Sequence, residues 1–110
     1  MIRTLRATAL LIALFGMPAA VAAGSPHDLW IKAKCALCHG EDGAGNTPQG
    51  KQTHTPDLRS HEVQKHTDAE LTEIIAHGHA HMPSFQGGLK PEQVALLVQY
   101  IRSVGTAKER

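Results

Sequence analysis

The clearest hydrophobic pattern along the chain lies between residues 67 and 78. Thr67 and Glu70 have the spacing of a capping box, in which each side chain bonds the other residue's backbone N–H at a helix start. Apolar residues then recur at i, i+3 and i+4, and Gly78 supplies a C-terminal stop. These apolar positions are Leu71, Ile74 and Ile75. The pattern predicts an amphipathic helix that begins after Thr67 and ends near Gly78.

Two further helices are predicted, one on each side of this segment. A C-terminal helix starts at Pro91, runs to about Val104 and stops at Gly105. An N-terminal helix starts at Ser25-Pro26, where serine can cap and proline suits the first helical position, and it continues through Ala36. We expect these two helices to cross and to form the main packing contact. The side chains expected at the crossing are Leu29, Ala33, Leu97, Tyr100 and Ile101.

The region between the N-terminal helix and the helix after Thr67 covers residues 40–66. It is polar and rich in glycine and proline. A short helical turn is predicted at Ser60 to Gln64. No segment of the sequence alternates with the period of two that is typical of a strand, so the fold class is all-α. An irregular stretch of this length is uncommon in a compact domain unless it is functional, and wrapping around a large flat cofactor would account for it.

The first 23 residues have the order of a secretory signal peptide. Two arginines near the start are followed by an apolar run from Ala9 to Phe15, and small residues then lead to a processing site after Ala23. A membrane anchor is the alternative, but the apolar run is shorter than the roughly 20 residues of a spanning helix. We therefore expect residues 1–23 to be removed on export to the periplasm, which leaves one domain over residues 24–110.

Composition excludes some classes of function. The predicted processing removes two arginines, so that eleven Lys and Arg residues become nine, against ten Asp and Glu residues. This balance gives no indication of binding to nucleic acid or to an anionic membrane surface. All eight histidines remain, and because histidine is a common metal ligand, their number favours a metal or haem protein.

The two cysteines, Cys35 and Cys38, stand before His39 in the spacing C-x-x-C-H, the signature of c-type haem attachment. If the first helix continues through them, the three side chains share one face, where two thiols can bond the haem vinyl groups and the imidazole can reach the iron. The alternatives are a disulfide, a thioredoxin-like redox pair and a zinc site. The redox pair expects a βαβ pattern and zinc expects further ligands at ordered spacings, and the sequence shows neither. The motif and the export signal together predict haem attachment.

Beyond this motif the sequence resembles the class I cytochrome c family over essentially all of residues 24–110. The resembling segments are the helix that leads into Cys35-Ala36-Leu37-Cys38-His39-Gly40, the turn with Gly43 and Gly45, Thr55-Pro56-Asp57-Leu58, Met82-Pro83, and the closing helix with Tyr100-Ile101-Arg102. The resemblance implies a cytochrome c fold, in which three main helices and long loops enclose one covalently attached haem c. It also implies that Cys35 and Cys38 form the haem thioethers and that His39 is the proximal iron ligand.

Met82 is the candidate distal ligand of the haem iron. It is the only methionine after residue 23, and a lone methionine beside Pro83 in a glycine-rich loop is a poor core filler, which is the alternative. His/Met ligation is typical of electron-transfer cytochromes c. His77, His79 and His81 depart from the family's pattern. They could bind copper or zinc or replace Met82, but we favour a polar surface loop because no fourth ligand organises them.

Two further residues are assigned near the haem. By resemblance, the Pro56 carbonyl accepts a hydrogen bond from the other ring nitrogen of His39 and so fixes the orientation of the imidazole. An ordinary turn proline is the alternative. Trp30 belongs either to the core or to the lining of the haem site.

These features predict a periplasmic electron carrier that moves one electron at a time. We do not expect an enzyme, because no nucleophile or acid–base pair is apparent and a six-coordinate iron leaves no open position for a substrate. A haem-based ligand sensor and a cytochrome subunit of a periplasmic oxidoreductase complex are the alternatives. We expect a monomer with transient redox protein partners, no nucleic acid partner, and membrane contact only through partner complexes.

Overall fold

The computed structural model describes residues 12, 13, 16, 24–85 and 87–109. The helices in these ranges are α1 (Pro26–Lys32), α2 (Ala36–His39), α3 (Pro48–Gln52), α4 (His61–Gln64), α5 (Asp68–His77) and α6 (Pro91–Lys108). The described ranges contain no strand, only an isolated bridge between His79 and Met82, so the all-α prediction is confirmed. The predicted signal segment lies outside the described residues except at three positions. No described helix is both long enough and apolar enough to cross a membrane.

The predicted starts of α4 and α5 are confirmed by their capping contacts. The Thr67 hydroxyl accepts a hydrogen bond from the Glu70 N–H at 3.1 Å, and the Glu70 carboxylate accepts one from the Thr67 N–H at 3.1 Å. This reciprocal pair is the predicted capping box. At the start of α4, the Ser60 hydroxyl accepts from the Val63 N–H at 3.3 Å. Helix α5 ends at Gly78, whose φ of 78° suits a residue without a Cβ.

The crossing of α1 and α6 is at the centre of the apolar core, as predicted. Trp30 from α1 and Leu97 from α6 are almost completely buried, with 2% and 1% of their surface exposed. Of the side chains predicted at the crossing, Leu29 and Ile101 are also buried, while Ala33 and Tyr100 are partly buried against the same cluster. Helix α5 adds its buried apolar face to this core.

The first helix is shorter than predicted. It ends at Lys32, and Lys34 adopts a left-handed conformation with a φ of 65°. The Lys34 N–H bonds the Ile31 carbonyl at 3.0 Å and the Cys35 N–H bonds the Trp30 carbonyl at 3.1 Å, which together form a Schellman motif. The prediction of one helix running through the cysteines is therefore wrong, because the chain closes α1 with a lysine at the position where glycine is usual.

The last helix is longer than predicted, because Gly105 does not stop it. Helix α6 continues to Lys108 and buries Gly105 in its interior. A Cβ on Gly105 would lie 2.5 Å from the side-chain amide carbon of Gln64. The Gln64 amide in turn donates to the carbonyl oxygens of Leu58 at 2.7 Å and Ile101 at 2.9 Å. This glycine therefore permits a close approach between α4 and α6.

Candidate haem site

The three residues of the C-x-x-C-H motif lie on one helical turn although α1 has already ended. Cys35 is the residue before α2 and has helical backbone angles, with a φ of −58° and a ψ of −38°. The His39 N–H bonds the Cys35 carbonyl at 3.0 Å. Side chains at positions i, i+3 and i+4 of such a turn share one face, so the structure brings Cys35, Cys38 and His39 together as the sequence predicts.

Both cysteines are free thiols, so the disulfide considered as an alternative is not formed. Cys35 is buried and Cys38 is partly buried. Burial raises the pKa of the Cys35 thiol to about 11. A thioredoxin-like redox pair depends on a lowered thiol pKa, so the environment of Cys35 does not favour that alternative.

The surroundings of the His39 imidazole favour the protonation state that a metal ligand requires. Burial lowers the pKa of His39 below its usual value, which favours the neutral ring that can bind iron. Its Nδ1 atom is buried and has no hydrogen-bond partner among the described residues. A buried polar atom without a partner is rare in a native protein, and this is the nitrogen that the resemblance assigns to the Pro56 carbonyl rather than to the iron.

The hydrogen bond assigned by resemblance to the Pro56 carbonyl is not formed in the described structure, because His39 Nδ1 has no partner. Pro56 itself is exposed, although its neighbour Leu58 is buried and donates its N–H to the Gly43 carbonyl at 2.8 Å. The role of Pro56 toward His39 therefore stays a prediction.

The backbone around His39 is held by hydrogen bonds from two directions. The Trp30 indole Nε1–H donates to the Gly40 carbonyl at 2.9 Å, which ties α1 to the residue after the ligand. The Gly45 N–H donates to the His39 carbonyl at 2.8 Å. Since Trp30 is also a core residue, the position of His39 depends on the packing of the whole fold.

Helix α3, which the sequence analysis missed, supports α2 from a third direction. The Thr47 hydroxyl accepts from the Gly50 N–H at 2.9 Å and donates to the Leu37 carbonyl at 2.5 Å. Gly50 lies so close to α2 that a Cβ there would collide with the carbonyl oxygens of Cys38 and Gly45. The Thr47-Pro48 pair, a capping residue followed by proline at the first helical position, was the signal for this helix.

Met82 lies in a tight turn after α5 and packs partly buried against the apolar core. The His79 N–H bonds the Met82 carbonyl at 3.1 Å, and the Met82 N–H bonds the His79 carbonyl at 2.8 Å. Ala80, between them, has a φ of 51°. This reciprocal pair fixes the register of the turn, so a one-residue shift that exchanged Met82 for His81 would break both bonds.

Gly78 determines how the Met82 segment leaves α5. Its φ is 78°, and a Cβ there would lie 2.7 Å from the Met82 carbonyl oxygen and 2.9 Å from the Ser84 backbone nitrogen. The segment then returns to α5, where the Ser84 hydroxyl donates to the Ala76 carbonyl at 2.7 Å. A residue with a side chain at position 78 would push the Met82 backbone away.

The three histidines near Met82 are exposed, as the surface-loop interpretation expects. His77 approaches the Glu73 carboxylate at 3.4 Å. Within the described part of the chain, no three His, Cys, Asp or Glu side chains are placed together as ligands of a metal ion. The structure therefore gives no support to a copper, zinc or zinc–cysteine site.

The residues present fit a covalently bound haem. Two free thiols on one turn, a partly buried imidazole and a partly buried thioether are the groups that attachment and axial ligation require. No polar or charged side chain is classed as buried among the described residues, so the core beside these groups is apolar. Cys35 and Cys38 would hold the group covalently, and His39 and Met82 would bind its iron.

Comparison with known proteins agrees with this site. Residues 19–101 match the family model described as cytochrome C oxidase, cbb3-type, subunit III. Over 75 residues the chain is 32% identical to the cbb3-type cytochrome c oxidase subunit FixP of Bradyrhizobium diazoefficiens, an alignment that covers 67% of this chain and 25% of the relative. The chain thus spans about a quarter of the length of that curated relative.

A solved structure shares the fold over nearly its whole length. The KustC0563 c-type cytochrome superposes with a TM-score of 0.67 at 30% identity, over 74% of this chain and 98% of that chain. This agreement confirms the predicted all-α cytochrome fold. Because the family model covers most of the chain and a c-type cytochrome has the same fold, the chain belongs to the class I cytochromes c, in the family of cbb3-type cytochrome c oxidase subunit III.

Proposed function

We propose that the chain is an exported one-electron carrier in which Cys35 and Cys38 attach a single haem c, and His39 and Met82 bind its iron. The observation that supports this most strongly is the placement of two free thiols and a partly buried imidazole on one turn of helix. Membership of the family implies covalently bound haem c. The haem supplies one-electron redox chemistry, while the protein supplies ligation and an apolar environment.

The division of roles between the two ligands follows from their surroundings. Burial lowers the pKa of His39 and so favours its neutral form. The backbone at His39 is held by the Gly45 N–H, which donates to the His39 carbonyl, and by the Trp30 indole N–H, which donates to the carbonyl of the next residue, Gly40. Met82, held by its pairing with His79, would supply the second iron ligand. An iron bound by both residues would offer no open position to a substrate, which supports a carrier rather than an enzyme.

A cytochrome subunit of an oxidoreductase complex is the second candidate. The family description and the relative FixP, both named as subunits of a cbb3-type oxidase, favour it. The KustC0563 c-type cytochrome, of which this chain matches 98%, is a c-type cytochrome chain of similar length. We propose the free periplasmic carrier, a monomer that meets donor and acceptor through small, transient interfaces of less than about 1,200 Å².

The mass of the exported protein tests haem attachment and processing together. We expect the intact mass of the polypeptide from Gly24 plus one haem, and haem that stays with the polypeptide after acid–acetone extraction and denaturing electrophoresis. A protein without haem, or one with a Cys35–Cys38 disulfide, would contradict the proposal.

Two further measurements distinguish the electron carrier from a ligand sensor and from a subunit of an oxidoreductase complex. Carbon monoxide should not bind the reduced protein readily at neutral pH, because Met82 occupies the sixth position, and rapid binding would favour a ligand sensor. Size-exclusion chromatography of a native periplasmic extract should show the haem protein at the size of a monomer. Co-migration with a large oxidase complex would favour the subunit.

A further inference from the structure

Four aromatic rings form an unbroken chain from the proximal ligand to the protein surface. The ring centroids of His39 and Trp30 are 5.6 Å apart, those of Trp30 and Tyr100 are 4.8 Å apart, and those of Tyr100 and His27 are 5.8 Å apart. The rings are tilted against each other by 36° to 50°. All three separations lie within the range of contacting aromatic pairs, about 4.5–7 Å.

Hydrogen bonds fix the two middle rings to the backbone that follows His39. The Trp30 indole N–H donates to the Gly40 carbonyl, and the Tyr100 hydroxyl donates to the Glu41 carbonyl. Gly40 and Glu41 are the two residues after the ligand. The rings are therefore held in a fixed orientation relative to the proximal ligand, which a contact between apolar side chains alone would not achieve.

The burial of the rings changes in steps from the core to the surface. Trp30 is 2% exposed, Tyr100 is partly buried, and the His27 side chain is 52% exposed. The His27 ring also lies 3.6 Å from the Glu41 carboxylate and 3.8 Å from that of Asp28. Packing at the α1–α6 crossing accounts for the positions of Trp30 and Tyr100. It does not account for the fourth ring, His27, which is exposed and lies between two carboxylates.

We propose that the four-ring chain, His39–Trp30–Tyr100–His27, is a route by which electrons leave the haem through the protein. One electron leaves the ferrous haem, which becomes ferric, and reduces by one electron a metalloprotein acceptor docked at His27; no bond forms or breaks and no proton moves. The exposed carboxylates of Asp28 and Glu41 fit an acceptor with a basic docking face. The inference rests on the proposed function, because it requires a haem at His39.

Light-triggered electron transfer in the haem-loaded protein tests the route. A photoactive ruthenium complex is attached to His27 in a background in which the other exposed or partly exposed histidines are replaced by glutamine. These are His54, His61, His66, His77, His79 and His81. A laser flash makes the complex an electron donor to the ferric haem, and the rate is read from the haem absorbance, independently of any partner. The matched control carries the complex on His61 instead of His27.

The substitutions Trp30→Leu and Tyr100→Leu each interrupt the chain of rings, while Trp30→Phe and Tyr100→Phe keep a ring at the same place. We expect the leucine variants to slow transfer from His27 several-fold and the phenylalanine variants to restore most of the rate. Transfer from His61 and the haem spectrum should be unchanged in both Tyr100 variants. Trp30→Leu and Trp30→Phe both lose the bond to the Gly40 carbonyl, so these two variants are compared only with each other.

Three results would overturn the route. Equal rates from His27 in the leucine and phenylalanine variants would show that the rings only pack the core, and equal slowing from His27 and His61 would show a general change in the protein. If Trp30→Leu does not fold, Tyr100→Leu decides, because Tyr100 is only partly buried. The absence of covalent haem from the wild type would instead contradict the proposed function, and the route with it.

Discussion

The two segments that carry the iron ligands are held in different ways. The attachment segment, residues 35–40, is bonded by Trp30 of α1 and by Thr47 at the start of α3. The distal segment, residues 78–85, is held by the pairing of His79 with Met82 inside the segment and by short contacts back to α5. The hydrogen bonds of the attachment segment thus come from two other elements, α1 and α3, whereas those of the distal segment come from the segment itself and from α5.

This difference implies two levels of stability within one small domain. Moving His39 requires the α1–α6 core and the contact with α3 to open, which amounts to global unfolding. Moving Met82 requires the opening of one turn and of its contact with the core, and segments bonded to few other elements open locally at lower free energy than the whole domain. We therefore expect substitutions near His39 to change folding, and substitutions near Met82 to change ligation while the fold remains.

The largest effect is expected from Gly50→Ala. The new Cβ would collide with two backbone carbonyl oxygens, those of Cys38 and Gly45, which cannot turn aside as a flexible side chain could. We expect a loss of about 3 kcal/mol or more in the free energy of unfolding, at the upper end of over-packing costs. Denaturant unfolding followed by haem absorbance and circular dichroism measures it.

Gly88→Ala is the matched control for this substitution. The nearest atom to a Cβ on Gly88 is the Phe85 carbonyl oxygen at 3.6 Å, an ordinary van der Waals contact. The control should therefore change stability by less than about 0.5 kcal/mol, as surface substitutions usually do. If the two alanine variants unfold at the same denaturant concentration, the close packing of α3 on the attachment segment is not what holds it.

A smaller and more local effect is expected from Gly78→Ala. A left-handed conformation costs a residue with a Cβ roughly 1–2 kcal/mol, and the Cβ would also press on the backbone of Met82 and Ser84. The protein should still fold and keep covalent haem, but Met82 should leave the iron. Carbon monoxide binding to the reduced protein would then become fast. Retained methionine ligation together with a large loss of global stability would contradict the division between the two segments.

The sequence predicts the parts of the molecule whose signals are local. The C-x-x-C-H turn, the capping box of Thr67 and Glu70 and the short helical turn from Ser60 to Gln64 depend on residues within about one turn of each other, and the structure shows each of them. The thioether, proximal, distal and Pro56 roles still stay predictions, because they depend on the haem or on a bond that the described structure does not form.

The features that the sequence does not predict depend on contacts between distant residues. Gly105 has the appearance of a helix stop, but its role is set by Gln64, which approaches it from α4. The break at Lys34 has no local signal, since lysine is rarely left-handed and no glycine or proline stands there. The pairing of His79 with Met82 likewise depends on how Gly78 turns the chain after α5.

The smallest effects are expected at Lys34 and Ala80, two of the three described non-glycine residues that have a left-handed conformation. Replacement by glycine relieves the backbone cost and adds entropy to the unfolded chain, so the net gain should be about 0.5 kcal/mol at each site. Lys34→Gly should raise the midpoint of global unfolding. Ala80→Gly should leave that midpoint nearly unchanged and instead weaken the binding of added imidazole to the ferric haem, because the turn that holds Met82 becomes more stable. If Lys34→Gly changed only imidazole binding and Ala80→Gly raised the midpoint of global unfolding, the two segments would not differ in stability as described.

The absorption spectrum of the oxidised, haem-loaded protein tests the central claim most directly, namely that His39 and Met82 are the two ligands of a covalent haem. At neutral pH we expect the weak sulfur-to-iron charge-transfer band of methionine ligation in the wild type and in His81→Ala, because the pairing of His79 with Met82 holds the thioether in register. The band should be absent from Met82→Ala. The claim would be contradicted if the wild type lacked the band and if His81→Ala, but not Met82→Ala, opened the iron to carbon monoxide. Histidine would then be the distal ligand.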